Sequence, residues 1–193
     1  MQKPKKCKIC GTAFSPRSSM AKVCSVPCSL RLVERAKAKA SKESASLTRK
    51  RVRDYRKKTK TLGQWTKDTQ AAFNEWVRER DHGLPCISCG AQMSDEGLLT
   101  GSRIDAGHYR SRGACPELRF HPANVHAQCV RCNQHLSGNI VEYRKGLIER
   151  IGLERVEWIE GHHEMPKYTR DDLEQMTRYY RAEARRLRKA RQS

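Results

Sequence analysis

Four polar residues in the middle of this chain are of the types found in a hydrolytic metal site, and phosphodiester hydrolysis is a reaction they could serve. His108 precedes Asn124 by sixteen residues, Asn124 precedes Asn133 by nine, and Asp105 lies three before the histidine. Hydrolysis near neutral pH needs a base for the attacking water, and a neutral imidazole can serve. It also needs positive charge on the scissile phosphate to offset what builds up there and on the leaving oxygen, which a divalent cation supplies. An asparagine carbonyl can hold an imidazole in one tautomer without adding a second charge. Arg110 and Arg112 follow His108 directly, where guanidinium groups can contact phosphate or stabilise a transition state.

Cysteines frame these residues. Cys86-Ile-Ser-Cys89 and Cys129-Val-Arg-Cys132 stand about forty residues apart and can give four thiolates to one tetrahedral zinc ion. A four-cysteine clamp enclosing His…Asn…Asn is the pattern of an HNH nuclease of the treble-clef type. The resemblance makes His108 the general base, Asn124 the residue that positions it, and Asn133 a ligand of the catalytic cation, Mg2+ or Mn2+. This chain departs from the pattern at Gly107, where many such enzymes carry an acidic ligand immediately before the base. Asp105 is the nearest carboxylate and the expected replacement, with a bulge at Ala106-Gly107 bringing it to the cavity of His108. An alternative set joins Asn133 to His126 or His135.

A second cluster lies at the start of the chain. Cys7-Lys-Ile-Cys10-Gly has the form of a zinc knuckle, and Cys24-Ser-Val-Pro-Cys28 supplies a second pair. A closed four-thiolate site has no open position, so its role is structural. A short hairpin carrying Phe14 and Val23 is expected between the pairs. Cys115 is left over once both clamps are filled. Thiols spaced in this way read as metal ligands in a reducing cytosol, where disulfides are rare.

The elements that must position these residues divide into four stretches. Residues 1–28 form the first zinc module. Residues 29–64 are a basic arm, with a helix capped at Ser29, expected alone in water to fray or be partly disordered. Between residues 31 and 60 there are thirteen basic and three acidic side chains. Arg49, Lys50, Arg51, Arg53 and Arg56, with Arg110 and Arg112, are the candidate DNA contacts. Residues 65–152 are the nuclease module: a helix over 66–81 capped by Thr66, the clamp and its contents, and a helix from Asn139 to Gly152. Residues 153–193 are a basic helical extension, opened by a capping-box-like Thr169-Arg-Asp-Asp172 and carrying an apolar seam of Leu173, Met176, Tyr180 and Leu187. The fold class is therefore α+β: a small, zinc-stapled ββα-metal module with a zinc knuckle before it and long basic helices on either side.

Composition narrows the partner. The net charge is +19 and the pI 9.9, which points to a polyanion. Nucleic acid fits better than a membrane surface, because the basic segments lack large apolar anchors. No apolar run approaches the ~18 residues that span a bilayer, so a cytoplasmic protein is expected.

The resemblance becomes specific at Gly107-His108-Tyr109-Arg110-Ser111-Arg112-Gly113 and at Asn124-Val-His-Ala-Gln-Cys129-Val-Arg-Cys132-Asn133. With the N-terminal knuckle and the flanking lengths, the chain resembles the NinG/Rap family of lambdoid phage recombination proteins throughout. That resemblance implies a structure-specific endonuclease acting on branched recombination intermediates, such as Holliday junctions and D-loops, in the host cytoplasm and alongside phage recombination proteins. Symmetrical resolution of a junction would call for two active sites, hence a homodimer. Two other readings compete. One is a non-catalytic zinc-finger DNA-binding protein. The other is an HNH nuclease on unbranched duplex, for which no long specificity domain is evident.

Overall fold

A computed structural model describes residues 3–94 and 103–192. It divides into two compact units, Met1–Lys60 and Thr61–Ser193.

In the first unit, β1 (Lys5–Lys6) pairs antiparallel with β2 (Ala13–Phe14), Lys5 opposite Phe14. The first knuckle is itself the turn of this hairpin. Cys7 donates its amide to the Thr12 carbonyl and Gly11 donates back to Cys7, with Gly11 in the left-handed region at φ 77°. The hairpin therefore lies across Cys7 and Cys10 and not between Cys10 and Cys24. Helix α1 (Val26–Thr59) follows, with Ser25 at the N-cap position and Pro27 in the first turn. The start expected at Ser29 is thus four residues late, because proline's missing N–H suits a first turn. Beyond Pro27 the helix contains no proline or glycine, and Arg56, Lys57 and Lys58 in its last turn complement the helix dipole. The arm is one continuous helix of 34 residues whose only buried side chain is Cys28.

The second unit opens with α2 (Leu62–Arg80), capped by Thr61 and not by Thr66. Gln64 N donates to Thr61 Oγ1 at 3.3 Å and Thr61 N donates to Gln64 Oε1 at 2.9 Å. This reciprocal pair satisfies two orphan amides of the first turn. Thr66 sits inside the helix and donates to the Leu62 carbonyl. After the second knuckle come β3 (Ile104–His108) and β4 (Val125–Cys129), paired antiparallel from Ile104↔Cys129 to His108↔Val125. Chain then turns through one wide helical turn, Arg131–His135, into α3 (Ile140–Ile151), α4 (Leu153–Glu160) and α5 (Arg170–Gln192).

Two apolar clusters hold this unit. Phe73 and Val77 of α2 pack with Phe120, Val125 and the α5 residues Leu173 and Tyr180. Ile87, Tyr109, Leu118, Tyr143, Leu147, Val156 and Ile159 form the other. The expected seam of α5 holds at Leu173 and Tyr180, and Thr177 and Ala184 complete it. Thr177 and Thr69 share a buried hydroxyl contact of 2.9 Å. Helices α4 and α5 consequently contribute to the second unit's core. At the far end of α5, Arg188 and Arg191 pair with Glu79 of α2. No described helix is long and apolar enough to cross a membrane.

Candidate functional site

Each cysteine cluster has sulfur spacings that match the geometry of zinc. A tetrahedron of Zn–S bonds near 2.3 Å has sulfur–sulfur edges of about 3.8 Å. In the first cluster, Sγ of Cys24 lies 3.5 Å from that of Cys10 and 3.7 Å from that of Cys28. In the second, Cys89 and Cys129 are 3.8 Å apart. All four sulfurs of each set, Cys7, Cys10, Cys24 and Cys28, and Cys86, Cys89, Cys129 and Cys132, lie within 4.8 Å of one another. All are free thiols. The donor set, the count and the spacing fit one zinc ion at each. The two knuckles also repeat one backbone design. Cys86 donates to the Ala91 carbonyl and Gly90 donates to Cys86, as Cys7, Thr12 and Gly11 do in the first. Around the second clamp, the amides of Cys129 and Cys132 point at Cys86 Sγ (3.3 Å) and Cys129 Sγ (3.5 Å), the arrangement that stabilises thiolate ligands.

The second clamp ties β4 and the wide turn to the knuckle, and this brings the polar residues together. Asp105, His108 and Arg112 line one cleft of about 380 Å3 with Asn133 of the wide turn and Asn74 and Arg78 of α2. Asp105 Oδ2 accepts from Asn133 Nδ2 at 3.0 Å and from Gln134 Nε2 at 2.7 Å, while Arg103 reaches its other oxygen at 3.4 Å. Gln134 and Arg103 were not foreseen. An amide that follows a ligand position carries no signal of its own until the turn is seen to widen. The widening is visible in Leu136 N donating to Arg131 O at 2.9 Å, a bond reaching five residues back.

The strand carrying Asp105 and His108 pairs residue by residue, without the bulge expected at Ala106-Gly107. Gln128 explains the regularity. It is fully buried, donates to Ser88 Oγ and the Gly138 carbonyl, and occupies the space beside Gly107. A Cβ at position 107 would stand 2.1 Å from Gln128 Oε1. With no bulge, the two side chains leave opposite faces of β3 and meet the cleft along the strand.

His108 Nε2 lies 3.1 Å from the Arg119 carbonyl. A carbonyl only accepts, so Nε2 carries the proton of the neutral ring and Nδ1 carries the lone pair. Burial lowers the imidazole pKa to about 4, opposed by the Arg119 carbonyl and reinforced by the Arg112 charge. The ring is therefore neutral at physiological pH, in the protonation state a base requires.

The side chain of Asn124 is wholly buried and makes no direct hydrogen bond to the His108 ring among the described residues. Nδ2 donates to the carbonyls of Arg110 (3.0 Å) and Leu118 (3.1 Å), and Oδ1 accepts from Arg110 N at 2.8 Å. The residue pins the loop that runs from His108 to Arg119, and with it the carbonyl that the His108 ring faces. Arg110 turns away from the cleft, its Nε 3.3 Å from the buried Cys115 Sγ. His126 is also removed from the alternative ligand set. It is buried against Asp81, with Nε2 3.2 Å from the Ala123 carbonyl and Nδ1 3.6 Å from Asp81 Oδ2. His135 lies outside the cleft lining. Arg49, Lys50, Arg51, Arg53 and Arg56 are all exposed on α1.

Comparison with known proteins identifies the lineage. Residues 1–190 match the family model described as Bacteriophage Lambda NinG protein. The chain belongs to the NinG family. This NinG-family chain is 39% identical over 204 aligned residues to Protein ninG of Escherichia phage 933W, covering 99% of the chain and 98% of the relative. Protein ninG of Salmonella phage P22 is 46% identical over 132 residues, 68% of this chain and 62% of that protein. The same protein of Escherichia phage lambda is 46% identical over 132 residues, covering 68% and 61%. No solved structure matches this NinG-family chain.

Proposed function

We propose that this protein is a metal-dependent endonuclease of the HNH type that hydrolyses phosphodiesters in branched DNA during phage recombination. The observation that carries the reading is the convergence of Asp105, His108, Arg112 and Asn133 on one cleft beside a four-thiolate clamp. His108 is neutral and takes a proton from the attacking water through the ring nitrogen that does not face Arg119. Asp105 and the carboxamides of Asn133 and Gln134 are a hard oxygen donor set suited to Mg2+ or Mn2+ once an amide turns its oxygen inward, amide orientation being interchangeable by a simple flip. The cation would offset charge on the phosphate and leaving oxygen. Arg112 adds a guanidinium at the cleft. The exposed cations of α1 supply sequence-independent affinity for DNA phosphates. Branch preference rests on the family resemblance and follows from nothing in the cleft.

The deciding experiment compares cleavage of a four-way junction with linear duplex of the same sequence, with magnesium or manganese, for wild type and His108→Ala. The expected outcome is cutting of the junction and a loss of roughly 100- to 10,000-fold in the variant, with junction binding retained. Wild-type cutting by His108→Ala would sink the assignment of the base. Binding without cutting in wild type would favour the zinc-finger reading, and equal cutting of duplex would favour the unbranched one.

A further inference from the structure

A second cleft, distinct from the one that holds His108, lies between the end of α2, β4 and the start of α4. It has a volume of about 1270 Å3 and is lined by Arg80, Arg150, Arg155, His121 and Trp158, with the carboxylates of Asp81 and Glu154 also on its wall. Trp158 is half-exposed, unlike Trp65, which is buried. Its indole is supported by two imidazoles, with ring centroids 4.8 Å away at His121 and 4.2 Å at His163. The arrangement is an aromatic platform with cationic neighbours. The nitrogens around it are unspent. His121 Nδ1, His163 Nε2 and Arg150 Nη1 are buried without a hydrogen-bond partner among the described residues. Arg150 Nη1 has only a long approach of 4.0 Å to Asp81 Oδ2, and that carboxylate is already taken by Arg80 and the Ala127 amide. Buried polar groups are normally satisfied. Two lining residues, His121 and Arg150, thus carry a nitrogen with hydrogen-bonding capacity left over, and Trp158 offers a half-exposed indole, a combination that suits a ligand with a flat apolar face and acceptor atoms.

We infer that this cleft binds unpaired nucleotides of a DNA strand, one base stacking on Trp158 while Arg150 and Arg155 take its phosphates. Stacking accepts any base, because every base has a π face. Guanidinium groups match phosphate geometry better than ammonium groups do. The volume exceeds the roughly 300–1000 Å3 of small-ligand pockets, so more than one nucleotide fits. The inference rests on DNA being the protein's substrate. It deepens that reading by assigning to the second cleft the unpaired residues that a branch point can expose, while the cleft of His108 handles the bond to be cut.

The test uses the full-length, zinc-loaded chain with labelled short oligothymidine, duplex and four-way junction, all followed by anisotropy, and the tryptophan fluorescence of the wild type with unlabelled oligothymidine. Wild type should bind oligothymidine with quenching. Trp158→Ala should bind it roughly 5- to 150-fold more weakly, the range expected for one stacked base, and bind duplex as before. Trp158→Phe should retain most of the single-strand affinity, and the exposed Arg155→Ala should weaken it without altering the fluorescence of the free protein. Duplex binding with unchanged oligothymidine affinity in both Trp158→Ala and Arg155→Ala overturns this inference and leaves the endonuclease reading standing. A Trp158-dependent single-strand affinity in a protein that cuts no DNA supports the inference and overturns the endonuclease. Absence of any DNA binding overturns both.

Discussion

Lowering the pH probes the central residue of the candidate active site directly. His108 has a folded-state pKa of about 4 because its ring is buried, with Arg112 adding to the effect against the Arg119 carbonyl. An unfolded histidine titrates near 6.5. Between those values the unfolded chain binds a proton that the native chain refuses, so stability falls as pH drops through the window and is fully present above it. The difference amounts to about 3 kcal/mol when the whole window is crossed. Between pH 7.5 and 5.5 the loss from this residue is about 1 kcal/mol. At pH 5.5 the native ring is about 3% protonated, against about 90% for a solvated one. Proton NMR of the ring Cε1–H measures this, with the His108→Gln spectrum identifying the resonance. That resonance should hold its neutral-form position down to pH 5.5, and Arg112→Ala should raise its midpoint. Urea unfolding at the two pH values should show the wild type losing about 1 kcal/mol more than His108→Gln. A midpoint at or above 6.5 would refute the buried, carbonyl-held imidazole and with it the geometric argument for a neutral base.

Elemental analysis should find two zinc ions per chain; Cys89→Ser should lose one and unfold the second unit, since apparent binding free energies of about 10–16 kcal/mol at such sites are folding free energy, while Cys115→Ser should retain both. Asp81→Ala should destabilise the second unit by about 3–5 kcal/mol in urea titration. It strands the half-buried Arg80 and the Ala127 amide, which the carboxylate holds at 2.7 and 2.8 Å; a loss below 1 kcal/mol would contradict that pairing. Removing residues 1–60 should flatten the slope of log affinity against log salt by about 0.9 for each phosphate that α1 neutralises on duplex DNA. An unchanged slope would make α1 a solvated spacer.

Sequence carried the metal chemistry of this chain further than its local structure. Cys-x-x-Cys spacing is a short-range rule with little context, and both sets of four sulfurs do converge. Joining Asp105 to Asn133 was also legible, because the clamp leaves the turn after Cys132 few places to go. Boundaries fared worse where a stronger neighbouring signal was passed over. Thr66 looked like a cap, but Thr61 with Gln64 forms the reciprocal pair. Pro27 marked the start of α1 more firmly than Ser29. Asn124 was given to the imidazole because its chemistry suits that task, whereas its burial assigns it to loop carbonyls. Burial is a tertiary property and no local pattern encodes it. The aromatic platform at Trp158 was hidden for the same reason, since His121 and His163 are far apart in the chain and meet only across α4.

Gly107 and Gln128 constrain how such a site can change over time. An acidic residue immediately before the histidine is the HNH feature this chain departs from, and Gly107→Asp is the single substitution that would introduce it. Here the carboxamide of Gln128 already fills that volume, held by Ser88 and Gly138, so the single step meets a steric wall. The favourable route passes first through a smaller residue at 128, which leaves the Ser88 hydroxyl and the Gly138 carbonyl without the amide they accept from. Either order crosses a less stable intermediate. The two positions should therefore be inherited as a pair, glycine with glutamine or acid with a small partner, and mixed combinations should be selected against.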